Sequence, residues 1–136
     1  MRALLEQFSK RKIEVLFGPL TFCSGILLRY RRHWFCVINT RKAFVHQRFT
    51  LAHELYHFDH HRHLAQLFPV YSTSTSSLER EANRGAADML MPTDRVTAYI
   101  NALWAKPRDL AGHLARVFRV SRQAMEIRLE ELGIRR

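Results

Sequence analysis

The sequence holds only two cysteines, Cys23 and Cys36, among 136 residues, and they are 13 positions apart. A disulfide framework and a cysteine-rich zinc module are both excluded by that count. Both residues sit inside apolar runs, so they read as reduced, buried thiols on strands and not as metal ligands. Long apolar runs are also missing. Ser24–Leu28 and Trp34–Ile38 fall far short of the ~18 residues that a membrane-spanning helix needs, so no membrane partner is expected. The opening MRALLEQFSKRK has no apolar stretch or small-residue cleavage site of the secretory kind, which makes the cytoplasm the expected location. Internal repeats and domain-dividing linkers are absent as well. Acidic residues are the scarcer charge, 12 against 22 basic, for a formal charge of +10. The excess is spread over small clusters at Lys10–Lys12, Arg29–Arg32 and Arg116–Arg122, a balance that suits a polyanionic or acidic partner and equally a solubility role.

What is present is an ordinary globular composition, 47% hydrophobic and 25% charged, in a length that suits a single domain over 1–136. Leu4, Leu5 and Phe8 have the spacing of a short helix over Met1–Lys12. Ser24–Tyr30 and Trp34–Asn39 are rich in β-branched and aromatic residues around a short polar Arg31–His33, the pattern of a β-hairpin. From Ala43 to His60 the apolar positions Phe44, Leu51, Leu55 and Phe58 follow a helical period. Ser72–Ser77 reads as a surface loop, and Leu78–Met91 as a helix ended by Pro92. Thr93, Asp109 and Ser121 can cap three more helices that finish near Gly133. The order of helix, strands and then helices predicts an α+β fold, a small sheet segregated from its helices.

Within the long helical pattern lies Thr50-Leu51-Ala52-His53-Glu54-Leu55-Tyr56-His57, an HExxH segment. Residues four apart on a helix lie one above the other, so His53 and His57 can aim two imidazoles at one ion. Glu54 is turned by about 100° from His53, given ~3.6 residues per turn, which suits a base and not a ligand. A catalytic zinc site needs a third protein ligand and an open position. Glu79 and Glu81 are the candidates, and they face different sides of the next helix. Glu79 is preferred because Asn83, one turn on, can accept a hydrogen bond from a liganding histidine; Glu81 is the reserve. His60, His61 and His63 read as solvated. In such a site zinc lowers the pKa of its water towards ~7 and polarises a carbonyl, while Glu54 takes the proton and hands it to the leaving amine. Tyr56, Tyr71 and His113 are available as a second electrophile, without a choice among them.

These residues resemble the ImmA/IrrE zinc metallopeptidases of bacteria and their mobile elements. The resemblance is carried by Arg48–His57, by Glu79-Arg80-Glu81-Ala82-Asn83 and by Asp88-Met89-Leu90-Met91-Pro92. It extends to Val37-Ile38-Asn39 and to Phe118-Arg119-Val120-Ser121 with Ala124-Met125 and Arg128-Leu129. It implies a minimal zincin-like fold, His53, His57 and Glu79 as ligands of zinc (or manganese), and Glu54 as catalytic base. It also implies a stress-response or transcription-regulating role, by cutting a helix-turn-helix repressor supplied in trans. Two positions depart from the family pattern: Tyr56 stands where a glycine is usual, and Arg84-Gly85 where an aromatic often follows the Ala-Asn pair.

A rival reading starts from Asp109–Gly133, two short helices joined at Arg119-Val120-Ser121 with the layout of a helix-turn-helix. Arg122, Gln123 and Glu126 would then face base edges, with Arg116 and Arg119 near phosphates. The protein would be a DNA-binding regulator with a structural or vestigial metal site. Leu110, Leu114, Val117, Phe118, Met125, Leu129 and Leu132 equally suit a helical hairpin that completes a core. A His, His, Glu ligand set is also unlike closed structural zinc sites.

Overall fold

The computed structural model describes residues 1–65, 70–71 and 76–134, with side chains of 63–65, 70, 71 and 76 outside the description. The chain forms two compact units, Met1–Ala86 and Ala87–Arg136.

The first unit opens with α1, Arg2–Lys10, which buries Leu4 and Phe8. Next comes β1, Ile13–Gly18, a strand that the sequence reading passes over. The hairpin forms where expected, as β2 (Gly25–Tyr30) and β3 (His33–Asn39). Its turn places Arg31 and Arg32 at φ 55° and 137°. β1 pairs in parallel with β3, and a two-residue β4, Val70–Tyr71, lies on the other side of β2, giving the order β1-β3-β2-β4. Cys36 is buried on β3, opposite Leu27. Cys23 departs from expectation: it lies in the loop before β2 and is only half-buried.

Across β2 and β3 runs α2, Phe44–Ala65. Leu51, Ala52, Leu55 and Phe58 are at most 4% exposed, but so are the polar His57 and His61, and Thr50 and Glu54 are buried too. Apolar periodicity is therefore blurred on this helix, because two of its faces are covered. Gly25 lets the sheet approach closely, since a Cβ there would meet Thr50 Cγ2 at 2.6 Å and the Val37 carbonyl oxygen at 3.1 Å. Farther along α2, Arg11 forks onto the Asp59 carboxylate at 2.7 and 2.8 Å, a bidentate geometry that fixes orientation. Trp34 meets Phe58 edge-on with ring centroids 5.2 Å apart. The unit ends within α3, Ser76–Leu90. Residues 72–75 of the expected surface loop lie outside the described residues, while Ser76 and Ser77 belong to α3.

In the second unit, α4 spans Thr93–Ala102, α5 Leu110–Phe118 and α6 Arg122–Glu131. Thr93 is the first helical residue and Pro92 the cap, so the expected Thr93 cap is not made. Proline suits that place because a helix start has no use for its missing N–H. Asp109 and Ser121 do cap, accepting from the backbone N–H of Gly112 and Ala124 at 3.0 Å each. Leu110, Leu114, Met125 and Leu129 form the buried seam of α5 and α6. Arg128 is buried beside it, donating to the Met91 carbonyl at 2.9 Å and pairing with Asp88 at 2.9 Å. Among the described residues no helix is long and apolar enough to cross a membrane.

Candidate metal centre

One stripe of α2 carries His46, Thr50, His53, His57 and His61, spaced three or four residues apart, so they stack along a single face. His53 Nε2 and His57 Nε2 lie 3.0 Å apart. From α3, Glu79 brings one carboxylate oxygen to 3.0 Å from His53 Nε2 and the other to 2.9 Å from His57 Nε2. The expectation that Glu79 and not Glu81 meets the histidines is met, since His53, His57 and Glu79 form one group of metal-binding type. Ligands about 2.0–2.1 Å from a tetrahedral ion are separated by roughly 3.3 Å, so these atoms need to part only slightly to admit one. Asn83 also stands where expected, with Oδ1 2.8 Å from His53 Nδ1. With the proton on Nδ1, His53 donates to Asn83 and leaves the Nε2 lone pair directed at the group.

Glu54 is buried beside these residues, and its Oε2 has no hydrogen-bond partner. Such an atom is costly inside a protein unless a cation or a reacting proton is to be met there. Burial, and then the charge of Glu79, push its carboxyl up to about 8. Burial foremost, then the neighbouring His53, holds His57 well below the usual imidazole range. The two carboxylates and two imidazoles line a cleft of about 360 Å³, together with Ser24, Gly25, His46, Phe49, Thr50 and Asn83. Two imidazoles and a carboxylate form a donor set that fits a divalent ion of the zinc class, with the orphaned Glu54 oxygen beside it.

The family described as the IrrE N-terminal-like domain, peptidase M78, matches residues 8–130. The chain belongs to the M78 metallopeptidase family. No curated protein matches it. The M78 match includes the HExxH helix and α3, so the group of His53, His57 and Glu79 lies within the matched region.

Other expectations are corrected. His61 is not solvated: it is 4% exposed, and its Nδ1 lies 2.9 Å from His57 Nδ1. The i, i+4 continuation from His53 through His57 to His61 was a sufficient signal. His60 is exposed, and the side chains of His63 and Tyr71 lie outside the description. Tyr56 hydrogen-bonds Glu81 at 2.8 Å, and His113 meets Tyr99 at 3.1 Å in the second unit; neither lines the cleft. His46 was missed. It lines the cleft with its Nε2 2.8 Å from Ser24 Oγ, and burial and then Lys42 lower its pKa. Cys23 lines the cleft too.

The residues singled out for DNA sit on α5, α6 and the turn between them. Arg116, Arg119, Arg122 and Gln123 are exposed, but Arg122 is engaged by Asp109 and, at 2.9 Å, by Glu126. The remaining exposed residues of α6 are Ile127, Glu130 and Glu131.

The buried carboxyl has a thermodynamic consequence. A group whose folded pKa is raised adds stability below its unfolded pKa and loses it as pH rises through the folded one. Glu54 therefore destabilises the metal-free protein as pH climbs from its ordinary 4.5 towards about 8. The depressed His57 acts oppositely, its contribution being complete above its ordinary 6.5 and lost on acidification. Between about pH 6.5 and 8.5 Glu54 dominates, and a chelated sample should lose roughly 2 kcal/mol of unfolding free energy at ~1.4 kcal/mol per pKa unit. Urea melts at the two pH values measure it; a flat profile would contradict the burial of an ionisable Glu54.

Proposed function

We propose that this chain is a zinc-dependent endopeptidase of narrow specificity, of minimal zincin-like architecture, which cuts a separate helix-turn-helix repressor and so releases silenced genes. The reading is carried by the unpartnered Glu54 Oε2 beside His53, His57 and Glu79 in one cleft. His53, His57 and Glu79 would hold the ion, with manganese as the alternative to zinc. A bound ion of this kind supplies Lewis acidity that acidifies water and polarises a peptide carbonyl. Glu54 contributes a buried carboxylate acceptor, and the charge of an ion held beside it would favour the ionised form that a general base requires. It takes a proton at Oε2 and returns it to the departing amine nitrogen. Asn83 holds the His53 ring by its far nitrogen, which keeps Nε2 directed inward. The cleft is lined by Cys23, Ser24 and Gly25 ahead of and at the start of β2, by α2, and by Glu79 and Asn83 of α3.

Co-expression of the wild type, or of Glu54→Gln, with the repressors encoded beside it tests the proposal. One discrete repressor fragment is expected with the wild type and none with the variant. Efficient digestion of casein with no preference for a repressor would refute the narrow specificity.

A further inference from the structure

We propose that His61, Glu81 and Tyr56 form a relay that positions His57, locking its imidazole in the orientation and tautomer that a metal ligand needs. The proposal rests on the metal-binding reading of His53, His57 and Glu79.

His57 turns Nε2 to His53 and Glu79 and Nδ1 to His61. For Nε2 to offer its lone pair inward, the ring proton must sit on Nδ1, where it points at His61 Nδ1 2.9 Å away. His61 can accept it only if its own proton is on Nε2. That nitrogen faces Glu81 Oε2 at 3.4 Å, at the long end of hydrogen-bonding range, and a carboxylate accepts without needing a proton of its own. The other Glu81 oxygen accepts from the Tyr56 hydroxyl at 2.8 Å. A single assignment of protons thus satisfies every ring nitrogen and both carboxylate oxygens along the path from His57 to Tyr56.

An apolar side chain would cost less at position 61, which is 4% exposed. A histidine is tolerable there only with its nitrogens partnered, and His57 and Glu81 are those partners. The arrangement mirrors the other ligand: His53 is steered by Asn83, and His57, through His61, by Glu81, two residues earlier on α3.

Tyr56 is itself held in place by Gly85. A Cβ on Gly85 would lie 2.0 Å from Tyr56 Cδ2 and 2.3 Å from Cε2. The ring, from α2, therefore occupies the space above Gly85 on α3. His60 stacks on the same ring, with centroids 4.1 Å apart and planes 29° from parallel. Fixed on both sides, the ring delivers its hydroxyl to Glu81.

Zinc affinity by chelator competition tests the relay, with no dependence on peptide cleavage. Partners of this kind affect affinity by about 10–100-fold. His61→Leu should weaken zinc binding by that amount. His61→Asn, whose amide oxygen can stand near Nδ1, should recover much of it. Glu81→Gln, at a side chain 49% exposed and so harmless to folding, should weaken binding about tenfold, and Tyr56→Phe less. Because Glu81 acts through His61, His61→Leu with Glu81→Gln should bind no worse than His61→Leu alone. Wild-type affinity in Glu81→Gln, or additive losses in the double variant, would overturn the relay and leave the metal site standing. A wild-type protein that binds no zinc would overturn both, whereas one that binds zinc but cleaves no repressor would overturn only the proposed substrate.

Discussion

Replacing Glu54 by Gln should reduce peptide hydrolysis by at least ~10²–10⁴-fold, the usual contribution of a positioned acid–base group, while zinc affinity changes by no more than a few-fold. The amide keeps the size of the carboxyl and cannot take a proton from water. The candidate metal group of His53, His57 and Glu79 does not include Glu54, so the loss should appear in turnover and not in metal content. The same change should remove the alkaline instability of the chelated protein, because the buried group that titrates at about 8 is gone. Three measurements on one variant therefore move in different directions: turnover falls, metal content holds, and metal-free stability at pH 8.5 rises. Retention of more than a tenth of the activity would remove Glu54 from the chemistry.

Gly85→Phe should be strongly destabilising, costing about 3 kcal/mol or more. Glycine within a helix is ordinarily a liability of about 1 kcal/mol relative to alanine, so helix propensity alone favours a substitution on α3. Here the first added carbon would stand 2.0 Å from the Tyr56 ring. Cδ2, Cε2 and Cγ, at 2.0, 2.3 and 2.7 Å, are the nearest atoms, close to the stem of the side chain, and a ring stacked on His60 has little room to swing away. Overpacking a filled site costs ~1–3 kcal/mol even for small additions, so the clash outweighs the gain in helix propensity. Tyr56→Gly in the same chain should restore most of the loss by vacating the space. Thermal melts of the two single variants and the double give the coupling between the positions; additive losses would mean that the two residues do not share that space.

Much of this was readable before any coordinates. The hairpin followed from its β-branched and aromatic runs around a polar turn, and the Asp109 and Ser121 caps from their side chains. Glu79 was separable from Glu81 because Asn83 lies one turn beyond it. β1 was missed because an edge strand with Leu16 and Phe17 exposed lacks the alternation that marks a half-buried strand. His61 was lost in a histidine-rich segment, where composition suggests solvent and only the helical step from His57 points inward. No local signal links Tyr56 to Gly85. They are 29 residues apart on two helices, and each alone looked like a defect.

The 22-residue α2 is about 33 Å long at ~1.5 Å per residue. From one end of its polar stripe to the other it carries the cleft-lining His46, the paired His53 and His57, and the supporting His61. These duties share one helical register, so they can be changed by substitution but not by altering the length of the helix. One residue inserted between Thr50 and His53 would turn the earlier part of the stripe by about 100° relative to the rest. Divergence among such proteins should therefore accumulate as side-chain substitutions on α2, and insertions should be confined to the loops outside α2.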